Sequence, residues 1–191
     1  MAEKKSGWFL KLALEVLLIS VGVFLALLGE QWRERAHARE LAEASLRRFR
    51  SEIVANREAV EKVKDYHTGM LGKLNAYFAE DAAKRQSSAV RLEGVRPVFF
   101  QQTAWDLAIA TQSLADIDPD VAFDLSEIYG VQRTYGGLTG SIMQAIYLRP
   151  IVENFEALRA YYGDIVIWEP RLIEMYDRVL PKIDRALGEG S

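Results

Sequence analysis

Residues 46–77, LRRFRSEIVANREAVEKVKDYHTGMLGKLNAY, carry Leu46, Phe49, Ile53, Asn56, Val60, Val63, His67, Met70, Leu74 and Tyr77 at alternating steps of three and four. That spacing puts every one of them on a single side of an α-helix and nowhere coherent on a strand. No proline occurs between Glu30 and Asp81, so the reading is one long helix over 29–81. Its apolar stripe needs a partner, which makes a helical bundle the expected product. Asn56 and His67 are the two polar members of the stripe. A single polar seam residue sets register or oligomeric state, a role Asn56 fits. A lone histidine on a seam reads as a hydrogen-bonded core residue before it reads as a ligand or a pH switch. Gly69 and Gly72 are the expected places for a bend.

Upstream of the seam the composition changes. WFLKLALEVLLISVGVFLALL, residues 8–28, holds fourteen Leu, Ile, Val and Phe residues. At about 1.5 Å of rise per residue this run reaches roughly 31 Å, the thickness of a bilayer's hydrocarbon core. Apolar residues contributing about −0.3 to −0.6 kcal/mol each outweigh the roughly +2.5 to +3.5 kcal/mol of a central charge. Residues 8–28 therefore read as a transmembrane helix following a short tail, 1–7, with Trp8 and Trp32 as interfacial anchors. A cleaved signal peptide would also start with a basic MAEKK, but no small-x-small site followed by an extended mature start appears, and the helical pattern runs straight on through EQWRERAHARE.

Two charged residues interrupt the span, Lys11 and Glu15. Lys11 can snorkel to the near surface and lies one turn before Glu15, so the two can pair. Glu15 also shares a face with Gly22, Ala26 and Gly29, a small-residue groove that another helix can approach closely. On that reading a homo-oligomer forms through the membrane helix and the heptad seam, with Glu15 facing its interior or a membrane-protein partner. The lipid bilayer is itself the first partner. Lys4, Lys5 and Lys11 on one side against Arg33, Arg35 and Arg39 on the other favour a cytoplasmic N-terminus and a periplasmic C-terminal domain, although counting out to Arg47 and Arg48 reverses the balance.

Beyond the seam, residues 82–97, AAKRQSSAVRLEGVRP, form a polar loop closed by a proline. Residues 98–188 supply the remaining helices. TAWDLAIATQSLADI has Thr103 and Asp106 at the spacing of a capping box. Asp118 is the expected N-cap of the next helix, with Pro119 at its first position. Gly136 and Gly137 weaken the middle of that helix and Pro150 ends it. A helix over 152–162 and another from Pro170 to Leu187 complete the set. VRPVFF and DIVIW are the only strand-like runs, too few for a sheet. The fold class is all-α: a transmembrane helix continuing into a long helix and an antiparallel bundle.

Chemistry is sparse. The 191 residues include no cysteine and two histidines, His37 and His67, so thiolate metal sites are excluded, and the two Glu-x-x-His motifs that a di-iron bundle needs are not both present. No phosphate loop, dinucleotide fingerprint or nucleophile elbow occurs, no cofactor is implied, and YGGLTG (135–140) lacks the strand and lysine of a phosphate cradle. The net charge of −3, with glutamates interleaved among the arginines at 33–50, argues against nucleic acid. The aromatic residues of the second half read as core packing rather than a pocket lining. The expected role is a non-enzymatic interaction or sensory module. The alternative is an accessory subunit of an ion-driven or transport complex that uses Glu15.

Three stretches, LEVLLISVGVFLALLGEQWRER, SLRRFRSEIVANRE and TAWDLAIATQSLADIDPDVAFDLSEIY, resemble a group of small bacterial single-pass membrane proteins classified as a domain of unknown function. In that group a glutamate begins the span, a Gly-Val/Ile-x-x-Ala-Leu core follows, and a tryptophan among charges ends it. Glu15, Gly22, Val23, Ala26, Leu27 and Trp32 match. The resemblance implies a bacterial inner-membrane location and no particular activity.

Overall fold

The computed structural model describes the backbone of residues 3–85, 90 and 94–188, and side chains from residue 14 onward within those ranges apart from residues 151 and 152. The side chains of Trp8 and Lys11, and with them a Lys11–Glu15 pair, lie outside the described residues, as does the serine pair of the 82–97 loop. Five α-helices carry the fold: α1 (Glu3–Glu61), α2 (Lys64–Ala79), α3 (Thr103–Ala110), α4 (Pro119–Leu148) and α5 (Phe155–Ala186), with 3-10 turns at Ser113–Asp116 and Ile151–Asn154. No strand occurs among the described residues.

The register of the bundle can be read from its cross-helix pairs. α5 runs antiparallel to α1 and α2, since Arg50 meets Asp184, Arg57 meets Asp177, His67 meets Glu169 and Tyr77 meets Phe155. It is equally antiparallel to α4, through Asp124 with Lys182, Gln132 with Tyr176 and Tyr135 with Glu169. α1–α2 and α4 therefore rise together, and α5 descends between them. The remaining leg, which should also descend, is extended backbone over residues 94–102. It passes Tyr66 at Gly94, His67 at Val95 and Arg96, and Asn56 at Gln101. α3 continues it, where Glu52 takes the Ala104 N–H, and Ser45 meets Ser113 below. The molecule is thus an up-down-up-down bundle whose second leg is mostly not a helix.

The seam of residues 46–77 is filled from within the chain. Phe49, Ile53, Asn56, Val60, His67, Met70 and Leu74 are at most 1% exposed, packed on α5 and the extended leg. The seam is therefore closed to the self-association expected of it. The break in the long helix falls at Lys62–Val63, not at Gly69 or Gly72. There the Val63 N–H turns to the Val60 carbonyl, 3.1 Å away, in a tighter i to i+3 bond, and both glycines lie inside α2. Such a tightened turn redirects the axis while leaving few backbone groups unpaired.

Two expectations downstream, at Thr103 and at Pro170, are corrected in the same way. Thr103 is the first residue of α3 rather than its cap, and the cap position is Gln102, whose side chain makes no capping bond; the Glu52 carboxylate, arriving from α1, replaces the capping box. α4 is continuous through Gly136 and Gly137. Pro170 does not begin a helix but sits inside α5, as does Pro181. Leu158, Tyr162, Ile165, Glu169, Leu172, Tyr176, Val179 and Ile183 form one buried stripe in phase across Pro170, and burial of that stripe outweighs about 3 kcal/mol for an internal proline. Asp118 caps α4 as expected, its carboxylate accepting the Asp120 and Val121 N–H groups at 2.9 and 3.3 Å.

Below Ala42 nothing covers α1. Extending the seam back toward the N-terminus gives Arg39, Arg35 and Trp32, and there the bundle stops, because two arginines cannot continue an apolar interface. Residues 29–41 form a lone helical stalk, about 21 Å long between Leu28 and Ala42 at 1.5 Å per residue.

Candidate functional site

Two regions of the chain hold side chains whose arrangement the fold alone does not demand. The first is the uncovered part of α1. Large apolar side chains from Leu14 to Leu28 are 45–67% exposed, and none of the segment with mean hydropathy 1.8 is buried within the chain. It is long and apolar enough to cross a membrane. Glu15, Gly22, Ala26 and Gly29 lie on one side of this helix by their spacing, and a Cβ added at Gly22 or Gly29 would meet nothing within 4 Å.

The second region is a polar spine through the bundle, and it explains Asn56 and His67. An extended leg has backbone N–H and C=O groups that no neighbouring strand satisfies, and such groups are costly to bury unpaired. Asn56, 1% exposed, answers both groups of one residue: its Nδ2 donates to the Gln101 carbonyl at 2.9 Å and its Oδ1 accepts the Gln101 N–H at 2.8 Å. His67 answers the other end. Its Nε2 faces the carbonyls of Val95 and Arg96 at 3.2 and 3.0 Å, and because carbonyls only accept, Nε2 must carry a proton.

His67 Nδ1 lies 2.6 Å from Glu169 Oε1, with both residues at most 1% exposed. One proton occupies that bond, and the pair is neutral overall whichever atom holds it. The Tyr135 hydroxyl donates to the same Oε1 at 3.0 Å, while Glu169 Oε2 has no partner among the described residues. Beyond Tyr135 comes Tyr161, whose hydroxyl lies 3.3 Å from Thr139 Oγ1. A parallel arrangement holds the lower end, where the Tyr129 hydroxyl donates to Glu52 Oε1 at 2.6 Å. Burial, reinforced by the neighbouring carboxylates, pushes the Tyr129 and Tyr135 phenols well above their ordinary range. Burial does the same to Tyr162 and Tyr176.

This spine is sealed from solvent, so its chemistry is positional: it fixes an extended leg against three helices. Among the described residues no three His, Asp or Glu side chains are arranged to hold a metal ion. Glu52 and Glu169 are the members that sequence reasoning missed. Glu169 had a signal, since it sits in phase with Ile165 and Leu172 as His67 does with Val60 and Met70. Glu52 had none, because Ile53 beside it already occupies the seam. Of the aromatic residues, Tyr129, Tyr135, Tyr161, Tyr162 and Tyr176 are buried core, while Tyr147 is 82% exposed.

Next to the spine, between residues 98–102 and α4, an open groove of about 460 Å³ is lined by Phe99, Phe100, Gln132, Arg133, Gly136, Thr139, Gly140 and Met143 among others. It exists because an extended leg is narrower than the helix that would otherwise stand there.

Fold and site together define an all-α bundle on a helical stalk, continuous with one helix that is long and apolar enough to span a membrane. Comparison with protein families, with characterised proteins and with solved structures gives no match.

Proposed function

We propose that this chain is a non-enzymatic, membrane-anchored interaction or sensory module of the bacterial inner membrane. A single-pass anchor, 8–28, carries a periplasmic bundle that acts through self-association or a membrane partner. The observation behind this reading is the contrast along α1: its seam from residue 46 onward is consumed inside the bundle, whereas the span and stalk from 14 to 41 make no bundle of their own. Of its uncovered faces, the one bearing Glu15, Gly22, Ala26 and Gly29 is the one suited to a partner helix, because small residues allow close helix approach in lipid.

The native sequence lacks cysteine, which makes the test clean. Gly22→Cys and Ala26→Cys should form disulfide-linked dimers in native membranes, and Phe24→Cys, on the opposite face, should not. A chain that stays monomeric in all three variants and captures no membrane protein on crosslinking would sink the proposal. An acid on an uncovered apolar helix also suits the ion-driven alternative. There Glu15→Gln abolishes activity of the host complex; in the module it alters only assembly.

A further inference from the structure

The groove beside the extended leg has the features of a ligand site, and they come from independent parts of the chain. Phe99 is 78% exposed on one wall. The ring of Phe100 is fixed in place by Tyr135, edge-on at 5.2 Å between centroids. The opposite wall is α4, which presents Gly136 and Gly140 one turn apart; a Cβ at either would meet nothing within 4 Å. An aromatic wall facing the two glycines of α4 leaves a slot suited to a flat apolar body, and Met143 supplies a polarizable sulfur along it. The volume, about 460 Å³, is within the range of small-molecule clefts, roughly 300–1,000 Å³.

Two polar groups specify more than shape. Gln132 lines the groove, is fully buried, and spends its Nε2 on the Tyr176 hydroxyl at 3.0 Å; its Oε1 has no partner among the described residues. A buried acceptor left unpaired is costly and calls for a donor. At the rim, Arg133 is exposed and has no ion pair among the described residues, whereas Arg50, Arg57, Arg171 and Arg178 are matched to carboxylates. A guanidinium so placed fits a carboxylate.

We infer that this groove binds a small aromatic carboxylate carrying an N–H or O–H donor: the ring lies in the slot between Phe99 and the Gly136–Gly140 surface, the donor meets Gln132 Oε1, and the carboxylate meets Arg133. The inference stands apart from self-association of the membrane helix, which involves a different face and a different end of the chain. Thr139 ties the groove floor to the polar spine through Tyr161, so an occupant would touch the same network that holds the extended leg.

Indole-3-acetate is a suitable probe, titrated calorimetrically into the full chain in nanodiscs with empty nanodiscs subtracted. The expected result is saturable one-to-one binding. Arg133→Gln should weaken it about tenfold, the loss of one charge-assisted contact. The 1-methylindole analogue, which lacks the donor, should also bind about tenfold more weakly, since it leaves the acceptor unmet. Gly136→Leu should abolish binding without lowering the melting temperature, because there is room for the side chain and a helix interior prefers leucine to glycine. Absence of saturable binding, equal binding of the methylated analogue, or full binding by Gly136→Leu would each overturn the assignment. So would a Gly136→Leu chain that changes oligomeric state while no form binds the probe, which would give the groove to a second copy of the chain.

Discussion

Replacing His67 and Glu169 separately and together gives the most direct test of the polar spine. In His67→Leu, the Arg96 carbonyl loses its donor, the Val95 carbonyl keeps only the distant Tyr162 hydroxyl, and a fully buried Glu169 keeps only the Tyr135 hydroxyl. In Glu169→Leu, His67 Nδ1 and the Tyr135 hydroxyl lose the oxygen they share. Breaking a buried pair from one side costs about 3–5 kcal/mol, because the group left behind remains desolvated without a partner. The double variant removes both members of the pair and leaves only neutral backbone carbonyls and the Tyr135 hydroxyl short of a partner, so it should cost about as much as either single change, giving a coupling of about 3–5 kcal/mol. Against a total stability of about 5–15 kcal/mol, each single substitution is a large perturbation. Urea unfolding of the full chain in detergent, followed by circular dichroism and by tryptophan fluorescence from Trp105 and Trp168, supplies the four free energies. Single losses below about 1 kcal/mol, or a double loss equal to the sum of the singles within about 0.5 kcal/mol, would refute the buried pair.

Three other outcomes are expected. Asn56→Ala removes both bonds to Gln101, so it should destabilise by about 2–4 kcal/mol and raise protease cleavage within 94–102 before it affects the helices; unchanged cleavage would contradict the pinning role. Tyr129, Tyr135, Tyr162 and Tyr176 all have phenols raised above the ordinary value of 10.0. The neutral form is favoured on folding, so their contribution is complete below pH of about 10 and is lost as pH rises toward the folded-state values. Tyrosinate absorbance at 295 nm should show the buried four ionising only together with loss of helix. Pro170→Ala should restore a bond to the Val166 carbonyl inside α5 and stabilise the chain by about 1–2 kcal/mol, after allowing for the freer unfolded chain; a lower urea midpoint would show that the proline relieves some other strain.

Helical periodicity carried most of this architecture into view. Ten positions from Leu46 to Tyr77 define a seam without any tertiary information, and the Asp118-Pro119 pair marks a helix start by local chemistry alone. What escaped was decided at a distance. Thr103 looks like a cap until Glu52, fifty-two residues before Ala104, is seen to occupy that role. Pro170 looks like a boundary until the stripe on either side proves to be in phase. VRPVFF lacks any partner strand, and only the structure shows that His67 at its start, and Asn56 at Gln101 just past its end, are side chains standing in for a ladder. Glycine-rich YGGLTG was read by its lack of a phosphate motif, while its significance lies in the space opposite it.

The absence of any interruption in α1 between residues 3 and 61 bears on how the anchor and the bundle communicate. A hinge below the bundle would uncouple them, whereas a continuous rod makes the stalk a lever arm. From Leu28 to Glu61 the arm is about 50 Å at 1.5 Å per residue, so leaning the uncovered apolar segment by about 10° swings the far end sideways by about 9 Å. Rotation about the rod's own axis is passed on undiminished as torque, turning the face that carries Phe49, Ile53 and Val60 against α5.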